Sequence, residues 1–381
     1  MKCPFDLKNK KQIIRFEEVD PYNPQNTVKG YVNRRQGNMY GDLYITHVNG
    51  KKCYQHIYSA PKQHYPFDKN NEWKFPECDY IDLYEKLDGT CIISYTYLDS
   101  NGNIYLTYKT RLRPFLGKSK FGNFFELWNE MLKKYPNIIN MTFDSEKVCV
   151  FELYGKRNKI LIDYEIPLDT KLLFIRERCT GDIYPPESIN VEEGCPFLEF
   201  EGMVGSWNEY DIKGKEDLYR KIQEDLELGL YINEDEKILR GKEGYVMYFM
   251  KGDCAIQIKN KPPSVLKYHW SGDAVAYESI YTTVINAFEN FDEPTYDDVV
   301  SLLIEEFDLS KIEKSRVRIE KILGKVLFDR KYQYKLAKDY EKHNFDINKN
   351  KVTCMRWFGQ HYPRSEAKRI FNLLKQYEVG K

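Results

Sequence analysis

Four short segments place lysines and carboxylates where they could act together on a phosphate group. Lys86-Leu87-Asp88-Gly89 lies just before a strong hairpin pattern, and Phe151-Glu152 ends an apolar strand pattern. Glu243-Gly244-Tyr245-Val246 and Gln257-Ile258-Lys259-Asn260-Lys261 begin and end a later hairpin pattern. A deprotonated lysine can attack phosphorus, while metal-binding carboxylates and cationic side chains stabilise the developing negative charge. K-x-D-G alone is weak evidence, because it also suits a turn before a strand.

The spacing of apolar residues predicts mostly strands around these segments. Alternating residues with turn signals indicate hairpins, and a period near 3.6 residues indicates helices. The predicted hairpins pair residues 42–48 with 53–58, 92–98 with 104–108, and 244–250 with 254–258. Further strands are predicted at residues 148–153, 159–163 and 172–176, and helices at residues 121–134 and 215–228.

A change of pattern at residues 262–272 divides the chain. Only helix-like periodicity follows Pro262-Pro263, so we expect one domain over residues 1–265 and an all-helical domain over residues 266–381. Residues 264–310 carry a net charge of −9, whereas residues 311–381 carry +11. The basic end suits a phosphate backbone as partner, and it equally suits helices with solvated lysine faces.

Cysteine and histidine spacing disfavours several other classes of protein. The nine cysteines include no C-x-x-C pair, and the six histidines form no H-E-x-x-H pattern, so a disulfide framework or a zinc site is not expected. No apolar run reaches membrane-spanning length, and the first residues do not begin like a signal peptide. We therefore expect a cytoplasmic protein without a membrane partner.

Taken in order, the four segments resemble motifs I, III, IV and V of the covalent nucleotidyltransferases, which are the polynucleotide ligases and messenger-RNA capping enzymes. The run from Phe151-Glu152 through Asn158 to Tyr164 resembles more narrowly the phage-type RNA ligase 1 family, which has F-E, five residues and N-R-I-V-I-x-Y. Residues 175–182, with Ile-Arg-Glu and Thr-Gly-Asp, resemble motif IIIa of that family. The resemblance covers residues 30–270.

The resemblance implies an ATP-dependent RNA ligase that works through a lysyl-adenylate on Lys86, with Mg²⁺ or Mn²⁺ as the metal. Glu152 would hold the ribose hydroxyls or a metal-bound water, and Glu243 would orient metal-bound water near the α-phosphate. Lys259 would contact that phosphate. Further nucleotide contacts are implied for Glu85, Asp88, Gly89, Arg35, Lys109, Arg111, Val246 and Lys261.

Four segments depart from the family pattern. Motif V usually reads K-[IV]-K, but Gln257 stands first here, so the phosphate ligand is Lys259 alone or Lys259 with Lys261 in a shifted frame. Tyr108-Lys109-Thr110-Arg111 replaces the K-S-K-G of motif Ia, and a solvated strand edge is the alternative interpretation. The arginine of C-R-G-x-M-F is shifted by one to Arg35. In residues 61–65, Lys62 or His64 would replace the lysine of R-P-x-x-K-F-F.

The expected fold is α+β, in which an antiparallel-sheet nucleotidyltransferase domain of the ATP-grasp-like ligase type is followed by the all-helical C-terminal domain. RNA, with a nicked tRNA as one candidate, is the expected partner. The sequence has no G-x-x-x-x-G-K-[ST] loop, so an end-healing kinase and phosphatase would be separate proteins. The alternatives are a DNA ligase, a capping-type guanylyltransferase, and a catalytically silent RNA-binding protein on the same fold. The first two usually carry an OB-fold of five strands after motif V, where this sequence is helical.

Overall fold

A computed structural model describes residues 3–5, 7, 12–35, 37–67, 72–119, 121–144, 146–188, 191–233, 238–270, 275–288, 291, 293–304, 307 and 309–379. Within these ranges the strands are β1 (Ile13–Val19), β2 (Thr27–Asn33), β3 (Leu43–Val48), β4 (Lys51–Ile57), β5 (Tyr80–Glu85), β6 (Gly89–Leu98), β7 (Ile104–Thr110), β8 (Lys118–Ser119), β9 (Gly122–Asn123), β10 (Lys147–Tyr154), β11 (Asp169–Glu177), β12 (Ile183–Tyr184), β13 (Phe200–Val204), β14 (Tyr231–Asn233), β15 (Ile238–Arg240), β16 (Tyr245–Lys251) and β17 (Cys254–Asn260). The helices are α1 (Phe124–Lys134), α2 (Asn137–Thr142), α3 (Ile212–Leu228), α4 (Pro263–Trp270), α5 (Tyr277–Ala287), α6 (Tyr296–Leu303), α7 (Leu309–Lys314), α8 (Arg316–Lys342), α9 (Lys351–His361) and α10 (Ala367–Val379).

Three antiparallel sheets form the first part of the chain. Their strand orders are β1-β2-β3-β4, β12-β11-β10-β6-β7 and β13-β5-β16-β17. Tyr84 and Val246, from the third sheet, share one core cluster with Ile93 and Val150 of the second sheet and Ile45 of the first. The faces of all three sheets therefore meet around one apolar core, beside the end of β5 where Lys86 follows.

Two helices cover the outer faces of these sheets. Asn123 caps α1 by accepting a 3.1 Å hydrogen bond from the Phe125 N–H, and the buried face of α1, with Trp128, packs against the β10 side chain of Phe151. Asp211 caps α3 through the Gly214 N–H. These caps satisfy N–H groups that a helix leaves without a partner in its first turn.

The predicted hairpins are confirmed, with differences of one to three residues at most ends. Residues 159–163 were predicted as a strand, and this prediction is wrong. The segment lies between Asn158 and β11 outside any strand, because the backbone N–H groups of Leu161 and Ile162 donate to the Asp88 carboxylate and not to a neighbouring strand. Ile162 is buried with Leu239 and Val265, which accounts for the apolar pattern.

The chain folds as two compact units, Met1–Ser271 and Gly272–Lys381. The predicted boundary at residues 265 and 266 lies inside α4. In the second unit, every described element is a helix, and two apolar clusters form its cores: one holds Val299 and Ile322, the other Tyr340 and Phe358. Within the described residues, no helix combines the length and apolarity needed to cross a bilayer.

Candidate active site

Lys86, Glu243 and Lys261 form an ionic triad where β5, β16 and β17 lie side by side; Glu243 and Lys261 are buried and Lys86 is half-buried. The Lys86 backbone N–H donates a 2.9 Å hydrogen bond to the Gly244 carbonyl, which continues the pairing of β5 with β16. Lys86 Nζ lies 2.6 Å from Glu243 Oε2, and Lys261 Nζ donates to the other carboxylate oxygen. Glu243 is only 2% exposed. One carboxylate therefore holds two ammonium groups side by side.

The two lysines of this triad differ in their electrostatic environment. Burial lowers the pKa of Lys86, but the carboxylates of Glu243 and Glu152 outweigh burial, so that the pKa is raised above its usual value of 10.5. Burial is also the largest influence on Lys261, and with the charge of Lys86 it leaves the pKa of Lys261 lowered despite Glu243. The two ammonium groups beside Glu243 are each a possible partner for a phosphate oxygen.

Asp88 joins the segment that follows Lys86 to the loop of residues 161–164 by hydrogen bonds. Its Oδ2 accepts backbone hydrogen bonds of 2.5 Å from Leu161 and 2.7 Å from Ile162. The Asp88 backbone N–H in turn donates to the Tyr164 hydroxyl at 2.8 Å. Burial and the nearby Glu243 charge raise the pKa of Asp88 to about 6, although the two backbone donors oppose this shift. Asp88 therefore fixes the backbone around Lys86.

Gly89 is required because β6 and β10 approach each other closely. A Cβ atom at this position would lie 2.1 Å from the Leu153 carbonyl oxygen, which no side chain can tolerate without moving a strand. The fully buried Asn158 supports the same junction: its amide donates to the Leu153 carbonyl, and it accepts a 3.1 Å hydrogen bond from the Thr90 hydroxyl.

Glu152 belongs to the same group of charges. It lies on β10 opposite Cys91 of β6 and is 9% exposed. Burial raises the pKa of Glu152 to about 8; Lys86 and Arg111 oppose this shift, whereas Glu243 and Asp88 add to it. Glu152, Glu243 and Asp88 thus place three carboxyl groups within electrostatic reach of Lys86.

The predicted metal ligands Glu152 and Glu243 have the oxygen donors that Mg²⁺ and Mn²⁺ prefer. Across the part of the chain that the structure describes, no three His, Cys, Asp or Glu side chains form a set that could hold a metal by themselves. Mg²⁺ commonly takes one or two carboxylates, with water and substrate phosphates completing its shell, so these residues fit an ion bound together with a nucleotide.

For motif V, the structure places Lys261 in the triad, whereas Lys259 has a different environment. Lys259 Nζ lies 4.2 Å from the centre of the Tyr65 ring, and the Lys259 backbone N–H donates to the His64 carbonyl at 3.1 Å. Burial, Lys259 and Lys62 together lower the pKa of His64. Lys261 therefore contacts Glu243, whereas Lys259 contacts the Tyr65 ring.

The motif Ia candidates occupy different positions. Lys109 is fully buried, and Nζ donates to the carbonyls of Gly41 and Arg111 at 2.9 Å each and to the Ser59 hydroxyl at 3.0 Å. This geometry joins the strands and loops around it. The Arg111 guanidinium lowers the pKa of Glu152, so Arg111 lies within electrostatic reach of the site.

The remaining candidates lie in different environments. Val246 is buried between its strand neighbours Tyr84 and Lys259. Glu85 pairs with Tyr245 and has a raised pKa, mainly from burial. Arg35 is exposed, while the adjacent Gln36 lies outside the described residues.

Sequence reasoning did not assign roles to Tyr164 and Asn158, which support Asp88 and the β6–β10 junction. Both were visible within the segment that resembles the RNA ligase 1 family, in which Asn158 begins the N-R-I-V-I-x-Y pattern and Tyr164 ends it.

Neither a protein-family model nor a curated protein matches this sequence. Among solved structures, an archaeal ATP-dependent RNA ligase is similar over 82% of this chain and 72% of its own, with 16% identity and a TM-score of 0.41. A putative ATP-dependent DNA ligase from Aquifex aeolicus is similar over 93% and 86%, with 13% identity and a TM-score of 0.42. A Naegleria gruberi RNA ligase with PPi is similar over 51% and 53%, with 13% identity and a TM-score of 0.34. Likeness at this level establishes neither a family nor an activity.

Proposed function

We propose that this protein is an ATP-dependent RNA ligase that carries AMP on Lys86. The observation that supports the proposal most is the ionic triad, in which a half-buried lysine amine shares one buried carboxylate with a second lysine. The K-x-D-G, F-E and E-G-Y-V segments each contribute a carboxyl group that acts on Lys86: Asp88, Glu152 and Glu243. A silent RNA-binding protein would have no need for this costly arrangement, because buried charges are expensive to maintain.

In the first step, the Lys86 amine attacks the α-phosphorus of ATP. A nitrogen–phosphorus bond forms, the bond to pyrophosphate breaks, and the amine gives up a proton. While Glu243 is paired with Lys86, the amine is held as a cation. Drawing Glu243 away removes the strongest of the three carboxylate influences that raise the pKa of Lys86. Burial and the charge of Lys261 then oppose only Glu152 and Asp88, so the pKa falls. The neutral amine needed for attack then becomes accessible.

The other residues orient the nucleotide. Lys261, which shares Glu243 with Lys86, would neutralise charge on the α-phosphate, and Asp88 ties the backbone that follows Lys86 to Leu161 and Ile162. Glu152 and Glu243 would hold a divalent ion, which supplies Lewis-acid stabilisation of phosphate charge when bound.

The remaining steps transfer AMP to RNA and seal the strand. A 5′-phosphate oxygen attacks the α-phosphorus, which releases the Lys86 amine and leaves an RNA-adenylate. A 3′-hydroxyl then attacks the 5′-phosphorus, forms the phosphodiester and releases AMP. RNA repair, with a nicked tRNA as one substrate, is the role proposed for this chemistry, and the end-healing kinase and phosphatase would be partner proteins.

The test is transfer of label from α-labelled ATP to protein, followed by denaturing electrophoresis. Wild type with Mg²⁺ should give a labelled band, and Lys86→Ala should give none. Lys251→Ala serves as a control, because Lys251 is an exposed lysine at the far end of β16. Label on Lys86→Ala equal to wild type would contradict the proposal. Labelling from GTP in place of ATP would favour a capping-type guanylyltransferase, and sealing of nicked DNA but not RNA would favour a DNA ligase.

A further inference from the structure

One face of α8 carries a row of lysines. Lys331, Lys335, Lys338 and Lys342 recur at spacings of four, three and four residues, and all four are exposed. Residues with this spacing lie on the same side of a helix, so the row extends for about 16 Å. Glu293 lies 2.9 Å from Lys331 and offsets the first charge. Lys335, Lys338 and Lys342 form the main part of this lysine row.

A ring stack of three aromatic side chains lies where the end of α8 meets α9. The Trp357 ring stacks on His361 of the same helix, at 4.0 Å and an interplanar angle of 17°. The tilted ring of His343, the residue that follows α8, lies 4.5 Å from Trp357 at 46°. Both histidines are exposed, whereas Trp357 is half-buried. His361 Nδ1 lies 2.8 Å from the Trp357 carbonyl oxygen; since a carbonyl only accepts, Nδ1 donates and holds the ring over the indole.

The lysine row and the ring stack are adjacent. Tyr362 follows His361 directly, and Lys335 Nζ lies 5.6 Å from the centre of the Tyr362 ring. The Tyr362 hydroxyl also donates a 2.6 Å hydrogen bond to Asp339 of α8. This contact places the end of α9 alongside the half of α8 that bears the lysines. The cations of α8 therefore lie next to the exposed ring of His361 on α9.

We propose that this surface, formed by Lys335, Lys338, Lys342, His343 and His361, binds single-stranded RNA. This inference rests on the proposed function, which supplies RNA as the substrate. The phosphates of the strand would lie along the lysine row, and an unpaired base would stack on an exposed imidazole. Residues 311–381 carry a net charge of +11, which suits a polyanion.

The combination of charges and rings favours a single strand over a duplex. A duplex presents phosphates, but its bases are already stacked on each other, whereas an unpaired strand offers base faces to aromatic side chains. A lysine row without rings would suit any polyanion, so the adjacent ring stack is the feature that specifies the ligand.

The experiment measures binding of the full-length protein to two fluorescent ligands, an unstructured RNA oligonucleotide and an RNA duplex of the same length. Binding is measured without ATP or metal, over a range of salt concentrations. Lys335→Ala/Lys338→Ala is compared with Lys321→Ala/Lys325→Ala, which removes two exposed lysines earlier on the same helix. The first double variant should weaken single-strand binding and reduce the log–log salt slope by about 1.4, since each lost contact contributes about 0.7. The second should bind like wild type.

His361→Ala tests the ring stack, and His361→Phe keeps a ring at the same place. The alanine variant should lose affinity for the single strand by roughly fivefold or more while duplex binding stays unchanged, and the phenylalanine variant should restore it. Equal losses for strand and duplex would overturn the single-strand assignment. Unchanged RNA binding by both the lysine and His361→Ala variants would overturn the site itself, leaving a solvated face or a surface for another partner.

Labelling of Lys86 by ATP separates this inference from the proposed function. Normal labelling with unchanged RNA binding in these variants would contradict only the RNA surface. Absent labelling in wild type, with RNA binding that depends on the lysine row and His361, would contradict only the ligase mechanism.

Discussion

Lys86 Nζ and Glu243 Oε2 lie 2.6 Å apart, although 157 residues separate them in the sequence. The same carboxylate that raises the pKa of Lys86 also makes this lysine a poor nucleophile, because an ammonium has no free electron pair. The pair therefore stores the lysine in its protonated form within a buried site. In the proposed mechanism, activation requires Glu243 to exchange its partner, so Glu243 would control the reactivity of Lys86.

Replacing Glu243 should make Lys86 more acidic and should also stop adenylation. In Glu243→Gln, burial and the charge of Lys261 remain while the strongest of the three opposing carboxylates is gone, so the pKa of Lys86 should fall. We expect acylation of Lys86 by a small anhydride, followed by mass spectrometry across a pH series, to begin at lower pH than in wild type. Glu243→Ala should form no Lys86 adenylate while remaining folded.

Glu201→Gln provides a control for this comparison, because Glu201 pairs with the partly exposed Lys242. That variant should leave the acylation profile of Lys86 unchanged. An identical profile in Glu243→Gln and wild type would show that the carboxylate does not control the pKa of Lys86. Adenylation of Glu243→Ala at the wild-type rate would remove Glu243 from the site.

Lys261 and Lys259 should differ in their effect on the first step. Lys261 shares Glu243 with Lys86, whereas Lys259 lies against Tyr65. Lys261→Ala should reduce the rate of adenylate formation by about 100-fold or more, the size expected when a group that stabilises transition-state charge is lost. Lys259→Ala should cause a smaller loss. Single-turnover labelling at saturating ATP measures both. A larger loss of rate for Lys259→Ala would favour Lys259 as the ligand of the α-phosphate, as the resemblance implies.

Asp88 should stabilise the loop of residues 159–164. Asp88→Ala removes the acceptor of two backbone N–H groups, each worth about 1–3 kcal/mol when buried without a partner. Removing the Asp88 carboxylate also removes the cost of burying it, which offsets part of the lost hydrogen-bond energy. We therefore expect the free energy of unfolding to fall by about 1–3 kcal/mol. Hydrogen exchange of the Leu161 and Ile162 amides should accelerate.

Asp99→Ala is the matched control for Asp88→Ala. Asp99 likewise accepts two backbone N–H groups, from Asn101 and Asn103, but in an exposed turn where water can replace it. The control should change stability little. If Asp88→Ala leaves exchange at Leu161 and Ile162 unchanged, these amides have another acceptor, and the loop does not depend on Asp88.

The sequence predicted those parts of the fold that depend on local patterns. The 92–98 and 104–108 hairpin was correct because alternation and turn residues lie within one short stretch. The strand predicted at 159–163 was wrong because its hydrogen-bond acceptor, Asp88, lies 73 residues or more away. Motif spacing selected segments that meet at Glu243, but spacing alone did not separate Lys259 from Lys261, since only the ion pair of Lys261 with Glu243 distinguishes them.

Glu152 should make the stability of the protein depend on pH. Its pKa is raised from the usual 4.5 to about 8, mainly by burial, so the folded protein favours the protonated form more strongly than the unfolded chain does. The stabilisation that this gives is fully present below pH 4.5 and is lost as pH rises to about 8. The total is at most on the order of 5 kcal/mol, the equivalent of the shift. Glu152→Gln cannot ionise, so it should gain stability relative to wild type across this range, as measured by denaturant unfolding at several pH values.

A divalent ion supplies the second measurement for Glu152. Mg²⁺ or Mn²⁺ added with ATP should favour the ionised carboxylate and should therefore stabilise wild type most at the high end of this pH range, where the proton competes least. Glu152→Gln should show a smaller increase in Tm at every pH because it lacks the carboxylate. A difference in unfolding free energy that stays constant from pH 5 to pH 8 would show that Glu152 keeps an ordinary pKa. Equal metal-dependent increases in Tm for the two proteins would remove Glu152 from the metal site.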